Sequence, residues 1–257
     1  MKYECGEMRA ARMGSTLKRL KFCVFGSFMR EWDMDGVKVI ATAIDRSNMK
    51  VVYQNKSMAY KVSKRLFDIL LAGIALVCLS PIFLVTALAI KLEDGGTVIF
   101  RQERNGLNGN IFTMYKFRSM CVNASDMHKD LLDKNELDGP AFKMKDDPRV
   151  TKVGRFIRKT SIDELPQLIN ILKGEMSIVG PRPLPTYETE KCTDYQKQRL
   201  LAKPGLTCYW QCSGRNSIPF DEWMEMDLKY LEEASFLIDL KIILKTVGSV
   251  FLQIGAY

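Results

Sequence analysis

An uncharged segment of 22 residues places the strongest constraint on how this chain can fold. Residues 69–90 carry no charged side chain, and a straight helix of that length would extend ~33 Å, enough to cross a bilayer. Ser80 and Pro81 lie at its midpoint. Because proline removes one helical hydrogen bond and clashes with the preceding turn, a kink or break is expected there. The segment is therefore predicted either to span a membrane or to bend and return to the side from which it entered.

Basic side chains flank this segment, with Lys61, Lys64 and Arg65 before it and Lys91 after it. Basic residues favour the cytoplasmic side of a membrane. A re-entrant arrangement would leave both flanks on that side, since each half of about eleven residues, or ~16 Å, reaches mid-bilayer without crossing it. The backbone carbonyls freed at the turn then need hydrogen-bond donors, and the Ser80 hydroxyl is a candidate.

Composition narrows the partners and the chemistry. The 257 residues include 38 Lys and Arg against 30 Asp and Glu, a net charge of +8, which favours an acidic partner such as nucleic acid, anionic lipid or a phosphorylated small substrate. The seven cysteines are scattered without a C-x-x-C pair, a usage that suits a reducing compartment. Since His128 is the sole histidine, neither a zinc site nor a His-based triad is expected.

Two adjacent carboxylates, Asp163 and Glu164, precede an apolar stretch with helical spacing, and Arg182 follows between two prolines. A carboxylate near a helix N-terminus beside a rigidly held guanidinium is typical of sites that handle phosphate. The alternative is structural, because Ser161 and Glu164 also fit a capping box and Gly-Pro-Arg-Pro is a common rigid turn. From the residues alone both interpretations stay open.

Further along, the patterns predict a hairpin and two helices. Residues 98–104 and 111–120 indicate strands around a turn rich in Asn and Gly. On the second strand Lys116 and Arg118 share one face, which suits phosphate binding or a solvated surface equally well. Residues 221–233 indicate a helix, and residues 236–254 an amphipathic helix that lies on a membrane surface or in the core.

Several short segments occur in the order typical of one known family: Lys64, Arg65 and Asp68, Ser80 and Pro81, residues 100–104, 116–120, 161–167, 174–183 and 203–207, and Trp210 and Gln211. On these residues, the chain from residue 62 to its end resembles the bacterial sugar transferases, also called polyprenyl-phosphate sugar-1-phosphate transferases or monotopic phosphoglycosyl transferases. One departure is Cys208-Tyr209, where the family usually has glycine followed by a residue such as leucine or tryptophan. No other stretch before residue 69 is long and apolar enough for the multi-spanning domain of the larger relatives.

The resemblance implies an enzyme that moves a sugar-1-phosphate from a nucleotide diphosphate sugar, usually uridine-linked, onto polyprenyl (undecaprenyl) phosphate. This would be the first membrane step in the assembly of a cell-surface polysaccharide, such as exopolysaccharide, lipopolysaccharide or capsule, or of another glycoconjugate. By similarity, Asp163 is the nucleophile that forms an aspartyl-phosphosugar intermediate. Glu164 is then a partner that orients the site or handles a proton.

The same resemblance implies a Mg2+ ion held at Asp163, with Mn2+ as a substitute, to relieve the repulsion between an anionic nucleophile and an anionic diphosphate. Arg158 and Arg182 would assist in neutralising this charge. The remaining candidate substrate contacts are Lys116, Arg118, Gln211 and Arg215.

The expected fold is mixed α/β and helix-rich: a re-entrant helix-break-helix joined to a small cytosolic α/β catalytic domain with surface amphipathic helices. The predicted divisions are an N-terminal extension without an assigned role (1–60), the re-entrant segment (61–95) and the catalytic domain (96–257). The site would face the cytosol from the bacterial cytoplasmic (inner) membrane, with membrane lipids but no nucleic acid as partners. A homo-oligomer is compatible with the sequence. The rival hypothesis is a membrane-tethered basic binding or scaffold protein without catalysis.

Overall fold

The apolar segment folds into two helices that meet at a sharp bend, α1 (Met58–Cys78) and α2 (Ser80–Asp94). These helices begin the part of the chain that the computed structural model describes, which comprises residues 56–124, 126, 127, 131, 144, 146–214 and 218–251. Residues 37–44 and 50–54, for which the sequence pattern also predicts short strands, lie outside it, as do His128, Arg215 and most of residues 122–147.

The predicted break is confirmed at Leu79, where the helix axis bends by 61°. Pro81 then falls in the first turn of α2, where a missing N–H costs nothing. The Ser80 hydroxyl donates to the Val77 carbonyl at 2.8 Å, as expected for a carbonyl freed at the turn. Among the described residues no single helix is long and apolar enough to cross a bilayer, whereas α1 and α2 together satisfy both criteria.

The two helices turn their apolar side chains outward and bury a carboxylate. Asp68 on α1 is buried and accepts hydrogen bonds from the Ser177 hydroxyl at 3.1 Å and the Ile178 N–H at 2.9 Å. The outward faces bear large side chains that are each more than half exposed, namely Val62, Leu66, Leu70, Ile74 and Val77 on α1 and Leu84, Val85, Leu88 and Leu92 on α2. This pattern is the reverse of a helix packed on a water-soluble core.

Two small sheets follow. The predicted hairpin is confirmed as β1 (Ile99–Asn105) and β2 (Ile111–Phe117), paired antiparallel with Ile99 opposite Phe117. A 3-10 turn at Leu107–Gly109 joins them, and Asn108 and Gly109 both have positive φ angles there. The second sheet is a parallel pair, β3 (Ser177–Val179) with β4 (Gly205–Thr207).

The other described elements are helical, so the helix-rich mixed fold is confirmed. Ile90 of α2, Phe117 of β2 and Ile157 of α3 form one buried cluster, which sets β2 beside α3. The remaining helices are α3 (Lys152–Lys159), α4 (Gln167–Lys173), α5 (Thr186–Glu190), α6 (Asp194–Lys197), α7 (Tyr209–Ser213), α8 (Phe220–Glu233) and α9 (Phe236–Phe251), with 3-10 turns at Ile162–Glu164 and Gln198–Leu201.

The last two helices differ in which side chains they bury. The helix predicted at 221–233 is confirmed as α8, which buries Trp223, Met224, Leu228 and Leu231 in the core. In contrast, α9 buries polar side chains and exposes apolar ones. Its inward side carries Asp239, Lys245 and Ser249 around Ile242, and its outward side carries Phe236, Leu237, Leu240, Leu244 and Val247.

Candidate active site

The acidic pair lies in the 3-10 turn Ile162–Glu164 between α3 and α4. The capping box considered for Ser161 and Glu164 is not formed. Ser161 has a left-handed backbone (φ 58°) and makes no capping hydrogen bond to the turn. The next helix begins only at Gln167, after Pro166, so Asp163 precedes that helix rather than opening it. A non-glycine residue with positive φ is uncommon and is often retained where a functional group must be aimed.

Glu164 gathers two cations from distant parts of the chain. Its Oε1 accepts hydrogen bonds from Lys116 Nζ at 3.1 Å and from Arg182 Nη2 at 2.7 Å. Burial by itself would raise the pKa of Glu164, but Arg182 and Lys116 outweigh it and hold this pKa well below its usual range. Glu164 therefore stays ionised at neutral pH. Of the two roles considered for it, these contacts favour orienting the site over transferring a proton.

Asp163 is in a different state although it is adjacent in sequence. Within the described residues, no donor reaches its carboxylate by a hydrogen bond or ion pair. Burial raises the pKa of Asp163 to about 6, and the Glu164 charge acts in the same direction, against Lys116, Arg158 and Arg182. Its oxygens are ionised at neutral pH and are not committed to any other described group, as a nucleophile or a metal ligand requires.

Arg158 supplies a cation from α3. Its Nε donates to the Ser119 hydroxyl at 2.8 Å, which fixes the guanidinium plane. Burial lowers the pKa of Arg158, opposed by the charge of Asp163, although an arginine remains protonated in either case. Lys116, Arg158 and Arg182 therefore surround the two carboxylates with three positive charges, from β2, α3 and the turn after β3.

The other predicted contacts are placed differently. Arg118 donates its Nε to the Thr97 carbonyl at 2.6 Å, and its terminal nitrogens contact Asp94 at the end of α2. Its partners are thus not those of Lys116, although both follow one strand face. Gln211 is buried on α7, and Arg215 lies outside the described residues. The predicted substrate contacts at Arg118, Gln211 and Arg215 stay predictions.

Two residues beside the site were not selected from the sequence. Arg104 donates to the Pro183 carbonyl at 3.0 Å, and burial lowers the pKa of Arg104 to about 10. Trp210 lies under the Arg182 guanidinium, 5.6 Å from Cζ to the ring centroid. The signal for both was their membership in segments that carry the family resemblance, but their roles depend on which distant residues they meet.

The donor set fits a metal ion that arrives with its substrate. Among the described residues, no three His, Cys, Asp or Glu side chains gather as a ready-made metal site. Mg2+ commonly binds through one or two carboxylates and completes its shell with substrate phosphates and water. Asp163 offers such a carboxylate, ionised and without a hydrogen-bond donor among the described residues.

Comparison with known proteins identifies the family of this chain. The model of the bacterial sugar transferase family matches residues 59–253, which is about three quarters of the chain. The protein therefore belongs to the bacterial sugar transferase family, and the resemblance noted in the sequence is confirmed.

Three individual relatives illustrate this similarity. The chain is 49% identical over 211 residues to the galactosyl transferase CpsE of Streptococcus agalactiae, covering 80% of this chain and 46% of that protein. It is 42% identical over 200 residues to the exopolysaccharide production protein ExoY of Sinorhizobium fredii, covering 76% and 88%. With the UDP-glucose:undecaprenyl-phosphate glucose-1-phosphate transferase of Escherichia coli it shares 40% identity over 205 residues, covering 77% and 42%. The chain thus spans less than half the length of two of these three relatives.

Proposed function

We propose that this protein transfers a sugar-1-phosphate from a UDP-sugar to undecaprenyl phosphate through an aspartyl-phosphosugar intermediate, as a membrane step in the assembly of a surface polysaccharide. The observation that carries this proposal is the contrast between the two adjacent carboxylates. Glu164 is bound to Lys116 and Arg182, whereas Asp163 is ionised at neutral pH, surrounded by cations and free of hydrogen bonds within the described residues. The name of the Escherichia coli relative supplies the donor and acceptor classes, and the name of the Sinorhizobium fredii relative supplies exopolysaccharide production.

The reaction divides into two displacements at one phosphorus. An Asp163 oxygen attacks the sugar-side phosphorus of the diphosphate, a P–O bond forms, and the bond to the nucleoside monophosphate breaks. An oxygen of the polyprenyl phosphate then attacks the same phosphorus and releases the Asp163 carboxylate. No proton has to be transferred in either displacement, since both leaving groups depart as anions. This agrees with a Glu164 that remains ionised.

The main barrier is the approach of an anion to an anionic diphosphate. Arg158 and Arg182, whose charges act on Asp163, are expected to neutralise the phosphate oxygens, together with Lys116, which contacts Glu164. A guanidinium offers a planar fork that matches phosphate oxygens. Mg2+ held by Asp163 and the diphosphate would add a Lewis acid that withdraws charge from the reacting phosphorus.

The intermediate can be tested directly by intact mass. Wild-type protein incubated with a UDP-sugar panel and Mg2+, without lipid, should gain the mass of one phosphosugar and release one equivalent of UMP. Asp163→Asn keeps the shape of the side chain but loses the nucleophile, so it should gain nothing. Asp221→Asn, at the exposed start of α8, is the matched control and should form the adduct normally.

The outcomes separate the hypotheses. An adduct on Asp163→Asn would remove Asp163 from the mechanism. The absence of an adduct, UMP release and lipid product from the wild type, for every UDP-sugar offered, would favour the rival scaffold hypothesis.

The metal proposal has its own test. EDTA should abolish UMP release, and Mg2+ or Mn2+ should restore it, while the melting temperature stays unchanged because the metal is not structural. Full activity in EDTA, with loss only after a zinc-specific chelator, would contradict it.

We further propose that α1 and α2 enter the cytoplasmic membrane and return, with the site facing the cytosol and the outward side of α9 lying on the lipid surface. The exposed apolar faces of these helices and the 61° bend support this. Single cysteines can be placed at Met58 and at Asn110 in a cysteine-free background and exposed to an impermeant maleimide outside intact cells. Both should be protected until the cells are opened. Labelling of one site alone from outside would indicate a spanning segment and overturn the re-entrant arrangement.

A further inference from the structure

The turn that carries Arg182 is fixed through its backbone carbonyls. Proline on either side of Arg182 leaves few N–H groups with which the turn could hold itself. Instead, three consecutive carbonyls accept hydrogen bonds from elsewhere in the chain: Pro181 from the Gly205 N–H at 3.0 Å, Arg182 from Arg199 Nη2 at 2.6 Å and Pro183 from Arg104 Nη1 at 3.0 Å. The position of Arg182 therefore depends on donors that are remote in sequence.

Arg199 is the donor with the most buried support. Its side chain is 2% exposed and that of its partner Asp227 on α8 is 0% exposed. Arg199 Nε donates to Asp227 Oδ2 at 2.9 Å, and Nη2 contacts both this oxygen and the Arg182 carbonyl. Burial raises the pKa of Asp227 to about 6, so the pair is ionic at neutral pH. The desolvation of a buried ion pair costs free energy that can exceed its Coulombic gain, so the presence of this pair is weak evidence that it serves stability.

A second connection runs through aromatic rings. The Arg182 guanidinium lies over Trp210, the Trp210 ring stacks on Trp223 with centroids 4.5 Å apart and planes 20° apart, and Arg199 lies over Trp223 at 5.7 Å. Arg182 and Arg199 thus each lie over one of the two stacked rings. The side chain of Arg182 is connected to Arg199 through the two rings, and its backbone carbonyl is connected to Arg199 by a hydrogen bond.

We infer that the Arg199–Asp227 pair, together with the Trp210–Trp223 stack, is a positioning device that holds Arg182 toward Glu164 and the phosphate of the donor. None of Arg199, Asp227 and Trp223 has a described contact with Asp163 or Glu164, so they act through Arg182. This inference rests on the proposed phosphosugar transfer, and it adds four positioning residues to it: Arg199, Asp227, Trp210 and Trp223.

A double-mutant cycle tests whether Arg199 acts through Arg182. Arg199→Lys retains the charge but cannot hold Asp227 and the Arg182 carbonyl in the same fork. In the wild-type background it should lower kcat for UMP release about 10- to 100-fold, as expected when a positioned group shifts slightly, with a smaller change in KM. In an Arg182→Lys background, the same substitution should change kcat by less than about twofold if the two effects are fully coupled.

Arg65→Lys provides the matched control, because Arg65 also donates to backbone carbonyls, those of Ile171 and Leu172, but at the far end of α4. It should lower the melting temperature without lowering kcat. If Arg199→Lys does not fold, Asp227→Asn and Trp223→Phe are taken through the same cycle.

Equal losses of kcat in the wild-type and Arg182→Lys backgrounds, or an unchanged kcat in Arg199→Lys, would overturn the inference. A wild type that releases no UMP would instead contradict the proposed function, so the two failures are distinguishable.

Discussion

Two buried clusters of charge in this protein are built from similar residues and are expected to do different work. At the candidate active site, Glu164 accepts hydrogen bonds from Lys116 and Arg182 while Asp163 accepts none from the described residues. In the second cluster, the carboxylate of Asp239 on α9 accepts hydrogen bonds from the Tyr60 hydroxyl at 3.0 Å, Lys64 Nζ at 2.8 Å and the Tyr230 hydroxyl at 2.7 Å. The first cluster joins β2, the 3-10 turn and the turn after β3, and the second joins α1, α8 and α9.

The difference lies in how fully each carboxylate is satisfied. Both oxygens of Asp239 have donors, so its charge is balanced within the fold and the group holds three helices together. Asp163 has positive charge around it but no donor in contact within the described residues, so substrate or metal can take that place. A saturated carboxylate is an anchor, whereas an unsaturated one among cations is available for chemistry.

Replacement of Asp163 and of Asp239 by asparagine should show the difference between the two clusters most clearly. Asp163→Asn is expected to abolish turnover, with a loss of at least about 10³-fold as for other essential nucleophiles, and to leave the melting temperature in detergent unchanged or slightly higher, because a costly buried charge is removed. UMP release and thermal unfolding measure the two effects. Substantial residual turnover, or loss of the fold, would indicate that Asp163 has a structural role like that of Asp239.

A smaller effect is expected at Glu164. Glu164→Gln keeps the shape but removes the charge that holds Lys116 and Arg182, so kcat should fall roughly 10²-fold, the scale found when a stabilising group is lost at a reacting centre. The phosphosugar adduct should still form slowly, since Asp163 is intact. Glu190→Gln, exposed on α5, is the control. Loss as complete as that of Asp163→Asn would give Glu164 a direct chemical role.

The anchor should respond in stability rather than in chemistry. Asp239→Asn leaves Lys64 largely buried without its counter-charge, a change that costs about 3 kcal/mol in comparable buried pairs. For a domain of this size the melting temperature should drop by roughly 6–12 °C. Tyr230→Phe, which removes one donor of the same cluster, should cost only about 1 kcal/mol. At temperatures where both variants remain folded, their kcat should stay close to that of the wild type. A loss of kcat without a loss of stability would contradict a purely structural role for the Asp239 cluster.

The local elements of this fold could be predicted because their causes are local. Proline after Ser80 breaks a helix wherever it occurs, and Asn-Gly turn residues between alternating strands specify a hairpin. The acidic pair and the Pro-Arg-Pro turn were recognisable as candidates for phosphate chemistry, since they bring charged groups into short rigid segments. The family resemblance also rested on such short segments, in their order along the chain.

The partners of these groups could not be predicted in the same way. Lys116 and Arg118 follow the same strand face, yet Lys116 reaches Glu164 and Arg118 reaches Asp94. Asp239 interrupts an apolar stretch in the sequence, and the structure shows that it is a buried anchor. The reason is that spacing fixes only which residues share a face, and what that face meets depends on the packing of distant elements.

What the sequence alone determined was the broken apolar helix, the hairpin, the acidic pair and the family. Only the tertiary structure decided that Glu164 is bound by two cations while Asp163 accepts no hydrogen bond from the described residues. It also decided that the Arg182 carbonyl accepts a hydrogen bond from Arg199, which is paired with Asp227. Hydrogen-bond saturation and the pKa of a carboxylate depend on burial and on every charge that folding brings near it. The hydrogen bonds that join Glu164 to Lys116 and Arg182, and Arg182 to Arg199, connect residues 17 to 48 positions apart. At that separation the order of residues carries no geometric information until the chain has packed.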